Sequence, residues 1–138
     1  MNLKLWRLPA LATLLCCSWV AVQGADLLIM DIDTKFDEQK VMPNGGYTFR
    51  FYQRIGKVKV YKNSPETLVW QTPGNNPQVN SPQKYVLRMQ SDGNLCMYSP
   101  ANRPVWATNV LGADQKLYLK EDGHLVVKKG EKPVWTNK

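Results

Sequence analysis

Apolar and polar residues alternate in short runs along most of this chain. Tyr47-Thr48-Phe49-Arg50-Phe51-Tyr52 alternates in strand fashion, as do Lys57-Val58-Lys59-Val60-Tyr61, Tyr85-Val86-Leu87-Arg88-Met89 and Lys116-Leu117-Tyr118-Leu119-Lys120. Such period-two stretches place apolar side chains on one face of a strand and polar ones on the other. Turn-forming clusters separate them: Asn44-Gly45-Gly46, Arg54-Ile55-Gly56, Asp92-Gly93-Asn94 and Asp122-Gly123-His124. Short strands at this spacing predict an all-β sandwich, barrel or prism. Only Leu27 to Val41 runs long enough without Gly or Pro to suggest a helix. Its β-branched content and its lack of a clear apolar face predict irregular or edge-strand structure instead.

The pattern also repeats. The clearest unit runs from Leu87 through Gln90-Ser91-Asp92-Gly93-Asn94 to Tyr98, then Val105-Trp106-Ala107-Thr108-Asn109. A second copy runs from Leu117 through Lys120-Glu121-Asp122-Gly123-His124 to Lys128, then Val134-Trp135-Thr136-Asn137. An earlier copy starts at Phe49, passes Gln53, returns over Val58 to Tyr61, and closes with Val69-Trp70-Gln71-Thr72. This phasing sets Gln53, Gln90 and Lys120 against one another. The repeats fall at roughly 33–72, 73–109 and 110–138. A single three-stranded sheet cannot cover its own apolar face. Three packed face to face would bury Trp70, Trp106 and Trp135 as a common core. The rival reading, an aromatic platform for a ligand, requires all three rings to point outward.

The first 24 residues stand apart. Lys4 and Arg7 precede a mostly apolar stretch from Leu8 to Val22, and Val22-Gln23-Gly24 follows, so residues 1–24 read as a signal peptide cleaved before Ala25. An uncleaved anchor and a lipoprotein signal at Cys16 or Cys17 are weaker readings, the latter because Leu14 and Leu15 are not small. The expected product is a secreted or periplasmic single domain, residues 25–138, with no stable membrane insertion after cleavage. It would keep Cys96 alone of the three cysteines, so the apolar core and not an intrachain disulfide must hold the fold. The net charge of +7 is spread along the chain. It suits solubility or a weak attraction to anionic surfaces. No nucleic-acid motif is present.

Gln90-x-Asp92-x-Asn94-x-Cys96-x-Tyr98, with the closing Val105-Trp106-Ala107-Thr108-Asn109, resembles the Gln-x-Asp-x-Asn-x-Val-x-Tyr signature of the bulb-type mannose-binding lectins. The resemblance covers roughly residues 30–138. It implies a β-prism II fold, with three antiparallel four-stranded sheets in pseudo-threefold symmetry. It also implies mannose-containing glycans as partners, with Asp92 and Asn94 on the axial 2-hydroxyl, Gln90 on the 3-hydroxyl and Tyr98 on the 4-hydroxyl. Residue 96 would touch the ring carbons, and Cys in place of Val weakens that contact. The residue types fit the task independently. A carboxylate and two carboxamides on one strand face both donate and accept, as vicinal hydroxyls require.

The other copies read as degenerate sites. The third keeps Asp122 and Val126 but has Lys120, His124 and Lys128 in place of Gln, Asn and Tyr. The first keeps Gln53 and Tyr61 but has Ile55 and Lys57 in place of Asp and Asn. A single working site would bind weakly, and a homodimer or clustered glycans would supply avidity. The competing reading is a sugar-silent prism serving protein interaction or antibacterial activity. No triad, metal cluster or phosphate loop points to an enzyme, a metal or a cofactor.

Overall fold

The computed structural model describes residues 25–138 apart from residue 81. The signal peptide expected over residues 1–24, with Cys16 and Cys17, lies outside the described residues. Among the described residues, twelve strands follow one another. They are β1 (Leu27–Met30), β2 (Lys35–Phe36), β3 (Lys40–Asn44), β4 (Tyr47–Tyr52), β5 (Lys57–Asn63), β6 (Glu66–Gln71), β7 (Val86–Met89), β8 (Leu95–Tyr98), β9 (Pro104–Ala107), β10 (Gln115–Leu119), β11 (Leu125–Lys129) and β12 (Lys132–Thr136). They form three four-stranded antiparallel sheets, ordered β3-β4-β5-β6, β2-β7-β8-β9 and β1-β10-β11-β12.

Three strands of each sheet come from one repeat, and the fourth comes from residues 27–44. That segment is neither a helix nor an irregular lead. It passes along the prism and adds one edge strand to each sheet in turn. Phe36 pairs with Leu87 and Lys35 with Arg88, so this part of the segment assigned to the first repeat belongs to the second repeat's sheet. Asp33 N donates to the Met89 carbonyl at 2.9 Å, and Met89 N donates to that of Thr34 at 3.0 Å, extending the short ladder. Edges left open in this way would otherwise expose unpaired backbone groups.

The alternation predicted from the sequence fills the interior. Phe49, Phe51, Val58 and Val60 face inward from the first sheet. Leu87, Met89, Leu95 and Met97 do so from the second, and Leu117, Leu119, Leu125 and Val127 from the third. All twelve are at most 2% exposed, and they pair across strands in matching register, such as Phe51 with Val58, Met89 with Leu95 and Leu119 with Leu125. Trp70, Trp106 and Trp135 meet one another edge to face, with ring centroids 5.9 to 6.3 Å apart. They are half-buried and cap the core rather than fill its centre. The outward-platform alternative is therefore excluded.

Each hairpin turn docks onto the next repeat through a glycine. A side chain at Gly56 would strike the Tyr85 ring at 2.7 Å, one at Gly93 would meet Gln115 at 3.0 Å, and one at Gly123 would strike Tyr47 at 2.5 Å. Tyr47, Tyr85 and Gln115 each stand two residues before a fully buried residue of the same repeat, namely Phe49, Leu87 and Leu117. The three contacts close a ring around the prism.

The register corrects one alignment. Tyr52 pairs with Lys57 where Gln90 bonds Asn94 and Lys120 bonds His124. The first turn holds one residue more than the others, so Tyr52, and not Gln53, stands where Gln90 stands in the second repeat.

Candidate functional site

The predicted row lies on the outer face of the second sheet, at the turn between β7 and β8. Gln90 N donates to the Asn94 carbonyl at 3.0 Å, and Gly93 N donates to that of Gln90 at 2.9 Å. The Asp92 carboxylate folds back to accept from Asn94 N at 2.9 Å, an Asx turn. Gly93 has φ +84°, and a Cβ there would lie 2.0 Å from the Gly112 carbonyl oxygen, so only glycine fits. Gly112 N in turn donates to the Asp92 carbonyl at 2.8 Å. This locks the turn that presents the exposed Asp92 side chain.

Asn94 is fixed from the other side. Its Oδ1 accepts from Thr108 Oγ1 at 3.2 Å and from Asn109 N at 2.9 Å. Both lone pairs of that oxygen are used, which leaves the Nδ2 hydrogens to donate outward. The Gln90 carboxamide donates to the Tyr98 hydroxyl. Cys96, between Asn94 and Tyr98 on the strand, is only 4% exposed. Burial pushes its thiol pKa up, the nearby Asp92 charge adds to this, and a hydrogen bond with Tyr98 opposes it. The Arg88 guanidinium lies 5.9 Å from the Tyr98 ring centroid. Asp33, Arg88, Gln90, Ser91 and Asp92 line an open hollow of about 280 Å³ beside the row. The arrangement offers fixed donors and acceptors in a shallow, polar, solvent-facing site.

In the third repeat a hollow of about 310 Å³ lies over the row positions themselves, lined by Lys120, Asp122, His124, Val126, Pro133 and Thr136. Its polar groups bind one another. Asp122 Oδ1 accepts from His124 N at 3.1 Å and lies 2.9 Å from His124 Nδ1, while Oδ2 lies 3.4 Å from Lys120 Nζ. Burial pulls the Asp122 carboxyl upward, but the His124 amide and imidazole and the Lys120 charge outweigh it and hold the group below its usual range. Lys128, where the second repeat has Tyr98, is paired with Asp26 and sits 5.2 Å from the Tyr118 ring centroid.

The first repeat is converted further. Lys57 stands in the place of Asn94, and its buried ammonium donates to the Thr72 carbonyl at 2.7 Å and to that of Gly74. Burial lowers its pKa, helped by the like charge of Lys59. Tyr61 matches Tyr98, but it is hydrogen-bonded with Tyr52 and covered by the Arg50 guanidinium at 4.5 Å. Arg50 in turn forks onto Glu66, at 2.8 and 3.2 Å. Gln53 lies at the turn, outside this cluster, and its carbonyl accepts from Tyr85 N at 2.8 Å. Ile55 is half-buried and offers no polar group.

Sequence reasoning brought together Gln90, Asp92, Asn94, Cys96 and Tyr98 and missed four neighbours. Thr108 and Asn109 belong to the closing strand motif but had no assigned part in the row. Arg88 read only as a polar position in an alternating strand. Asp33 lies far away in sequence, and no spacing rule reaches it. Among the described residues, no group of three His, Cys, Asp or Glu side chains could hold a metal ion.

No protein-family model matches the chain, and no curated protein sequence matches it significantly. Solved structures do. A monomeric monocot mannose-binding lectin from Gastrodia elata superposes with a TM-score of 0.63 at 26% identity, over 78% of this chain and 93% of that one. A lectin of Marasmius oreades gives 0.61 and 25%, over 83% and 91%. The mannose-specific agglutinin of snowdrop (Galanthus nivalis) bulbs, solved with methyl-α-D-mannoside, gives 0.60 and 24%, over 73% and 88%. The three sheets are those of a β-prism II fold.

Proposed function

We infer that this chain, a β-prism II domain built like the bulb-type mannose-binding lectins, is a carbohydrate-binding protein whose second repeat takes a mannose-type sugar. The observation that carries the reading is the state of the three matching sites. In the second repeat Asn94 is held by the closing strand so that its amide hydrogens remain for a ligand, and Asp92 stands exposed beside it. In the first and third repeats the corresponding groups are spent on internal contacts. The related structures are described as lectins, two of them as mannose-binding or mannose-specific. We therefore assign a binding role and no reaction. The leader-like residues 1–24 support export of the domain out of the cytoplasm.

Asp92 and Asn94 would hold the axial hydroxyl that separates mannose from glucose, Gln90 and Tyr98 the neighbouring hydroxyls. Each such hydrogen bond replaces one to water, so the net gain per bond is about 1 kcal/mol and single-site affinity is low. Pairing of two copies, or clustered glycans, would raise it by avidity. Titration of the protein with methyl α-mannoside, followed by the Asn and Gln side-chain amide signals in NMR, tests the reading. Saturable shifts that galactose does not produce, and that Asp92→Ala abolishes, are expected. Silence of these signals in the folded protein would favour the sugar-silent interaction module.

A further inference from the structure

We propose that the second repeat holds a second sugar subsite, built by Asp33 and Arg88, and that the natural ligand is at least a disaccharide. This rests on the mannose reading of the same site and extends it. The open hollow beside the row does not lie over Asn94, Cys96 and Tyr98. It is lined by Gln90 and Asp92 from the row, by Ser91, by Arg88 from β7 and by Asp33 from the N-terminal segment. Its volume of about 280 Å³ falls near the low end of the range for small-ligand sites. Space for a further pyranose therefore adjoins the hydroxyl-binding groups on the side toward β2.

The lining chemistry suits hydroxyls. Arg88 supplies a fork of donors and Asp33 a pair of acceptors. Both are exposed, and among the described residues neither is engaged in an ion pair; Arg88 approaches only the Tyr98 ring. Asp33 is held in place by its backbone. It has φ +63°, and its N–H is bonded to the Met89 carbonyl. The subsite is particular to this repeat. At the position of Arg88 the first repeat has Arg50, already committed to Glu66 and Tyr61, and the third has Tyr118, which lies against Lys128. The pairing of β2 alongside β7 is also what brings Asp33 here, so the N-terminal segment takes part in recognition as well as in pairing. Charge argues against an acidic sugar, since Asp33 and Asp92 together outnumber Arg88 in the lining. A neutral disaccharide fits the balance.

Isothermal titration of the full chain with methyl α-mannoside and with the linkage isomers of mannobiose tests this. At least one isomer is expected to bind about tenfold more tightly than the monosaccharide. Asp33→Asn keeps the left-handed backbone, which asparagine tolerates. It and Arg88→Gln are each expected to bring the ratio of the two affinities down toward one. If the monosaccharide binds and no isomer binds better, or if the ratio survives both substitutions, the subsite is wrong while the mannose reading stands. If neither sugar binds the folded protein, both readings fall.

Discussion

Thr108 donates its hydroxyl to Asn94 Oδ1 at 3.2 Å, so the closing strand of the second repeat aims the central amide of the site. The same hydroxyl accepts from Leu95 N at 3.3 Å, and Thr108 N bonds the Leu95 carbonyl at 2.9 Å. A structural staple and the contact that, on the proposed function, orients a ligand-binding amide are thus one residue. Thr108→Val should separate them. Stability should fall by about 1–2 kcal/mol through the lost bonds, and mannose affinity should fall because Asn94 is freed to turn. Chemical denaturation together with sugar titration checks both. Full affinity in the variant would show that Asn109 N alone suffices to hold Asn94.

Lys57 is the first repeat's counterpart to Asn94, and its ammonium satisfies two carbonyls there. Lys57→Ala should cost about 2 kcal/mol, since buried acceptors lose their donor. It should leave mannose binding at the second repeat untouched. Thermal unfolding and a parallel titration would reveal any departure. A drop in sugar affinity would mean that the first repeat also binds.

Gly93 can be replaced only with strain. Gly93→Ala places a Cβ against the Gly112 carbonyl at a positive φ, and a destabilisation of about 3 kcal/mol is expected. Urea unfolding monitored by tryptophan fluorescence reads this directly. The tryptophan triad reports through the same signal, and Trp106→Ala itself should cost about 3 kcal/mol.

Asp122 carries an acid dependence. The unfolded chain takes up this proton near the ordinary value of 3.8, whereas the folded carboxylate resists protonation to a lower pH. The unfolded state therefore binds more protons between the two values, and stability falls as pH drops through that window. Above it the contribution is complete. Asp122→Asn should flatten this part of an acid-unfolding curve recorded by circular dichroism. An identical curve would assign the acid sensitivity to other carboxylates.

The Cys96 thiol should react slowly. It is buried under the site, and burial raises its pKa, so little thiolate exists at neutral pH. Labelling with a chromogenic disulfide should be far slower than for a free thiol in the unfolded chain. Added methyl α-mannoside should slow it further. Rapid labelling indifferent to sugar would place the ligand elsewhere.

Much of this architecture is legible in the sequence, because inward-facing residues recur at period two and each unit closes on Val-Trp. The row from Gln90 to Tyr98 is legible for the same reason: alternate residues of a strand share a face. Other features leave no periodic trace. Lys35–Phe36 is a two-residue strand, too short to show alternation, so its sheet could not be assigned. The extra residue in the first turn is hidden when the repeats are phased on their like residues, which set Gln53 where Tyr52 stands. Lys57 reads as a solvated charge until two carbonyls are seen to receive it. Asp33 and Arg88 line one hollow because a strand distant in sequence, β2, pairs alongside β7.

The band of residues 27–44 has one further consequence. Each repeat takes its outermost strand from one stretch that also serves the other two, so displacing that stretch would open an edge on every sheet. The three matching polar clusters differ, one open and two closed upon themselves. The sheets that carry them share one band, and a lesion in it would be felt by all three at once.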